Sequence, residues 1–170
     1  MSAAEIAARL DAQFSSWTTV LGDLSSPAMD SSPAAEKWCA REHLAHLARM
    51  HGVWAARIRV ILARDRPLLP PYRAEKDPTW REWRALSAPD LLATAAGRRA
   101  GLIETVGGLS DTELARVGVH AKLGPLALSE WLEFFLVHEA HHLYAIFKLV
   151  RESGRGPDAP LYASGGPADG

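Results

Sequence analysis

Apolar residues return every three or four positions through four long stretches of this 170-residue chain, and no segment alternates apolar and polar residues between hairpin turns. Spacing of that kind predicts an all-α fold. The first stretch opens on Ser2 and Glu5 in capping-box spacing, passes through Ile6, Leu10, Phe14, Trp17 and Leu21, and stops at Gly22, which predicts a helix over 3–21. A second helix is expected over 40–63, with Pro67 just past its end. Segment 65–86 holds Pro67, Pro70, Pro71 and Pro78 and reads as a long crossover, in which Trp80 and Trp83 must find packing partners. Ser87, Pro89 and Asp90 start a third helix that Gly107 and Gly108 end, and Ser110 with Glu113 caps a short turn. The fourth helix follows Pro125 and reaches about Arg151. Four helices with one long connection predict a four-helix bundle over 1–152, and the five Gly and three Pro of 153–170 predict a flexible tail.

Composition narrows the function. Nineteen Lys and Arg against twenty Asp and Glu give a net charge of -1, too little positive field to hold a phosphate backbone, so nucleic acid is not an expected partner. The longest apolar run, Leu143 to Phe147, is five residues, against the roughly 20 a membrane span needs. Glu5, Arg9 and Asp11 interrupt the first twenty residues, unlike a signal peptide, so a cytoplasmic location is expected. Cys39 is the only cysteine. No internal disulfide or thiolate metal cluster can form, and any metal must be held by His, Asp or Glu.

Six of the seven histidines fall in two groups, His43, His46 and His51, then His138, His141 and His142. At about 100° per residue, His138 and His142 lie about 40° apart and one turn along a helix, close enough to grip one ion. Trp131, Phe135, Ala145 and Leu149 share their direction, so the pair faces the bundle interior, with His141 at the stripe's edge. On the second helix His46 aligns with Met50 and Val53 and also points inward, whereas His51 does not. Three imidazoles converging from two helices suit a divalent ion, zinc or nickel by preference, and leave a coordination position open for water or substrate. His138-Glu139-Ala140-His141-His142 also satisfies the H-E-x-x-H pattern of zinc metalloproteases, with Glu139 as general base. Ala145 and Lys148 stand where a metzincin continues with Gly and His, and Glu139 lies about 100° around the helix from His138.

The passages KWCAREHLAHL, with Trp38 eight residues before His46, and GVHAKLGPLALSEWLEFFLVHEAHHLYAI resemble the DinB/YfiT-like superfamily of bacterial metal-binding four-helix bundles. The resemblance implies an up-down-down-up bundle and a divalent metal held by His46, His138 and His142. It further implies an enzyme that uses a low-molecular-weight thiol as cosubstrate, as a transferase or isomerase; a metal that lowers the pKa of bound water would instead make the protein a hydrolase acting on a small molecule. A metal-stabilised binding or stress-response protein without turnover is the non-enzyme alternative. Ala127 stands where relatives often place a Ser or Thr cap.

Other residues carry paired readings. Glu42, one turn before His46, could orient its second nitrogen or sit solvated in the first helical turn. His43 could be a fourth ligand, a substrate contact or a proton shuttle, or simply pack in the core. Arg57, near the inward stripe, could clamp an anionic substrate or snorkel outward. Cys39 could be a reactive thiol at a helix start or a buried, inert one, and His51 and His120 are expected to lie on the surface. A second apolar stripe on the fourth helix, Leu132, Leu136, Leu143, Phe147 and Val150, points away from the histidines and predicts a homodimer paired through that helix unless Trp80 and Trp83 cover it.

Overall fold

The computed structural model describes residues 1–34 and 37–153, so the expected tail beyond Ser153 lies outside the described residues. Among the described residues, seven α-helices follow one another as α1 (Ala3–Ser15), α2 (Trp17–Leu21), α3 (Ala40–Ala63), α4 (Trp80–Ala85), α5 (Ala88–Gly107), α6 (Asp111–Leu114) and α7 (Leu128–Ser153). Three short strands, β1 (Leu68–Leu69), β2 (Val117–His120) and β3 (Gly124–Ala127), complete the fold. The long helices α1, α3, α5 and α7 form the four-helix bundle, with α3 and α1 each packed against both α5 and α7. The described helices include none long and apolar enough to cross a membrane.

Two apolar clusters occupy opposite ends of the bundle. One contains Ile6 and Leu10 of α1, Trp54 and Ile58 of α3, Leu102 and Val106 of α5, and Trp131 and Phe135 of α7. The other contains Trp17 and Leu21 of α2, Leu44 and Leu47 of α3, Leu91 and Ala95 of α5, and Leu143 and Ile146 of α7. From α1 into α2, and along α7, the chain passes from the first cluster to the second; along α3 and α5 it passes from the second to the first. Because α3 and α5 therefore run in the same sense, the segment between them must return along the bundle, which is what its length serves.

Two parts of the fold differ from the sequence reading. The expected helix over 3–21 is two, because the Ser16 amide and hydroxyl both bond to the Gln13 carbonyl, at 3.2 and 2.7 Å, in place of regular i−4 pairing. The break turns Trp17 fully into the core. Gly22 closes α2 at φ +64°, a conformation that suits glycine. The antiparallel hairpin of β2 and β3, with β1 added in parallel, was not legible as strands. Its four-residue strands, Val-Gly-Val-His and Gly-Pro-Leu-Ala, are too short and too rich in Gly and Pro to alternate. At its centre Gly118 lies under Ile61 and Trp131, and the Trp131 indole donates to the Gly118 carbonyl at 3.2 Å.

The second apolar stripe of the fourth helix is largely covered within the chain. Leu132, Leu136 and Leu143 are buried, with α1 and α2 packed along α7, while Phe147 remains partly exposed. Trp80 joins Leu143 and Ile146 in the second cluster.

Candidate metal centre

His46 comes from the N-terminal half of α3 and His138 and His142 from consecutive turns of α7, two helices packed side by side. One nitrogen from each of the three rings lies within 4.8 Å of the other two. His46 and His138 approach through Nε2, 3.2 Å apart, and their Nδ1 atoms are buried without a protein partner. His142 Nδ1 lies 2.9 Å from His43 Nδ1. One nitrogen from each of three imidazoles on one centre fits a divalent ion such as zinc, and no fourth His, Cys, Asp or Glu joins the group among the described residues. His43 thus contacts a candidate ligand without belonging to the triad, in the way outer partners fix a ligand's tautomer.

Aromatic rings enclose this centre. Trp38 lies 5.2 Å from the His46 ring and stacks on His142 at 6.1 Å with planes 28° apart, and Tyr72 lies 5.6 Å from His46 on another side. Burial, reinforced by the neighbouring imidazoles, pushes His46 down to about 3, His138 to about 4 and His142 to about 2. All three are therefore neutral near pH 7, the form that binds a metal.

Residues 9–146 match the family model of the DinB superfamily. The chain belongs to the DinB superfamily. A relative from Oceanobacillus iheyensis, described as a "putative metal-dependent hydrolase", is 25% identical over 134 residues, covering 76% of this chain and 74% of its own. The structure of YfiT from Bacillus subtilis, described as "a probable metal-dependent hydrolase with an unusual four-helix bundle topology", superposes with a TM-score of 0.66 at 20% identity. That match covers 91% of this DinB chain and 87% of YfiT.

The remaining candidates have other partners in this DinB fold. Glu42 neither reaches His46 nor sits free in solvent: it is buried, accepts from the Cys39 amide at 3.0 Å as a capping residue, and pairs with Arg84. Cys39 is buried, and burial raises its thiol pKa. Arg57 lays its guanidinium over Trp54 and Trp131, 5.1 and 5.5 Å from the ring centroids, and donates to the Pro70 carbonyl at 3.0 Å. His141 is exposed beside His142.

Two expectations for single histidines require correction. His51 is not a surface residue but 1% exposed, donating from Nδ1 to the Leu47 carbonyl at 2.9 Å among Phe14, Trp17 and Phe135. A phase angle measured toward one neighbour overlooked the flank of α3 that α1 and α2 cover. His120 is half-buried, and its Nδ1 accepts from the Lys122 and Leu123 amides to close the β2–β3 turn.

Glu139 cannot serve as a protease base at this centre. It is fully buried, its two oxygens pair with Arg99 of α5, and it accepts from the Trp17 indole at 2.6 Å. Burial pushes its carboxyl up, opposed by Arg99, and burial likewise lowers Arg99. Arg99, Tyr72 and its partner Asp77 were not singled out from the sequence. Arg99 sits forty positions from Glu139, and Tyr72 lies in a proline-rich segment without periodicity. A single aromatic or Arg there carries no local signal.

Proposed function

We propose that the protein is a metal-dependent enzyme of the hydrolase type acting on a small molecule, with His46, His138 and His142 as metal ligands. The observation that carries this reading is the convergence of three imidazoles kept neutral by burial, with no fourth protein ligand joining them among the described residues. The descriptions of the Oceanobacillus and Bacillus relatives support the hydrolase class. A divalent ion here, zinc or nickel by preference, supplies Lewis acidity that lowers the pKa of a water or thiol at the open position. The chain's own residues hold the geometry. His43 holds the His142 ring through the Nδ1–Nδ1 contact, and Trp38 and Tyr72 wall the centre.

Thiol-dependent transfer is the second reading. Cys39, the sole cysteine, is buried with a raised pKa, so any thiolate in the reaction comes from a low-molecular-weight cosubstrate. The deciding experiment combines metal analysis of the purified protein with an ester and amide hydrolysis panel, run with and without added thiol. About one divalent ion per chain, lost in His138→Ala and His142→Ala, and turnover without thiol are expected. Full metal occupancy in both variants refutes the centre, and products formed only with thiol assign transfer instead.

A further inference from the structure

Beyond His46, α3 forms one wall of a cleft of about 350 Å³, within the size range of small-molecule sites. Val53, Ala56 and Val60 line the helix side, and Leu69, Pro70 and Tyr72 of the crossover line the other. The cleft adjoins the metal centre at one end, because Tyr72 is both a lining residue and a neighbour of the His46 ring. Toward the other end stands Arg57, roughly 16 Å of helix rise beyond His46 at 1.5 Å per residue.

The two arginines lining this cleft differ in how their charges are met. Arg49 donates to Asp77 at 2.7 Å, and the Tyr72 hydroxyl donates to the same carboxylate oxygen at 3.0 Å, so that charge is balanced and the Tyr72 wall is fixed. Arg57 has one hydrogen bond, to the Pro70 carbonyl, and no carboxylate pairs with it among the described residues. Stacking on Trp54 and Trp131 holds its plane in place, and its remaining N–H groups are not sealed in the core. A half-buried guanidinium with a fixed plane and spare donors is a preorganised fork for a carboxylate.

We propose that this cleft selects substrates that carry a carboxylate, bound by Arg57, joined through a short apolar body to the group presented at the metal centre. The proposal rests on the metal-dependent reading and names the substrate class for the same site. The apolar body lies between the α3 wall and Leu69 and Pro70, and the opposite end reaches Tyr72 and His46.

Isothermal titration calorimetry with octanoate and octanamide on the full chain tests it directly. Octanoate is expected to bind at one site at least tenfold more tightly than octanamide. Arg57→Gln is expected to remove that preference, and Ala56→Trp, which fills the cleft from an exposed position, to abolish binding. The same titration on metal-free His138→Ala protein is expected to retain octanoate binding, which separates the cleft from the metal centre. Equal affinity for octanoate and octanamide on the unmodified chain overturns the proposal without any variant needing to fold, as does an Arg57→Gln protein that keeps the preference. Unmodified protein that binds octanoate with this preference yet carries no divalent ion when supplied with zinc or nickel would count against the metal reading alone.

Discussion

Arg99 of α5 donates to both carboxylate oxygens of Glu139 of α7, in the core where both side chains are essentially inaccessible to solvent. The pair lies between the two apolar clusters, with His51 and Trp17 beside it. It separates the fate of Glu139 from that of the adjacent candidate ligand His138: neighbours in sequence point to different helices.

Removing one member of this pair leaves the other charged and buried. Arg99→Met or Glu139→Leu is expected to cost about 3 kcal/mol or more in urea unfolding, and the double substitution less than the sum of the two. Additive losses would show that the two side chains do not act as a unit. Glu139→Gln is expected to lower stability while leaving metal content unchanged; loss of activity in a folded, metal-loaded Glu139→Gln protein would restore the protease reading.

His43 lies against His142, Nδ1 to Nδ1 at 2.9 Å, without belonging to the triad. His43→Ala is expected to weaken metal binding about tenfold to a hundredfold, measured by chelator competition, with the fold retained. Unchanged affinity would assign His43 to packing only.

Gly118 leaves no room for a side chain. A Cβ there would lie 2.9 Å from two Ile61 carbons and 3.0 Å from the Trp131 indole nitrogen, and both neighbours are fully buried. Gly118→Ala is expected to lower stability by about 1–3 kcal/mol through overpacking. A thermal midpoint equal to that of the unmodified protein would contradict this packing.

Stability of the metal-stripped protein should fall as the pH drops below neutrality. His46 and His51 are pushed down to about 3, His138 to about 4 and His142 to about 2, in each case first by burial. Above about pH 6.5 these rings are neutral both folded and unfolded, so they contribute no pH dependence. Below it the unfolded chain takes up protons that the fold excludes, and each group destabilises the fold by up to about 1.4 kcal/mol per pH unit until its folded pKa is reached. Urea midpoints between pH 7.5 and 5 check the slope, and a flat profile would mean that the rings are not held neutral.

Helical phase made His46, His138 and His142 legible together, because 3.6-residue periodicity fixes which side chains share a face within one helix. Capping chemistry likewise placed the start of α1 at Ser2 and Glu5 and that of α5 at Ser87. Periodicity says nothing about which neighbour a second face meets. Only tertiary packing buried His51 under α1 and α2, gave Glu139 to Arg99, turned Glu42 to Cys39 and Arg84, and brought Tyr72 from the irregular crossover against His46. The hairpin of β2 and β3 is of the same kind, since its short Gly- and Pro-containing strands are held by pairing and by contact with Ile61 and Trp131 rather than by any preference of their own. Local sequence therefore determined the helices and the face that holds the histidines, whereas partners separated by tens of residues were decided by how those helices pack, because burial and hydrogen bonding across elements depend on distance in space and not along the chain.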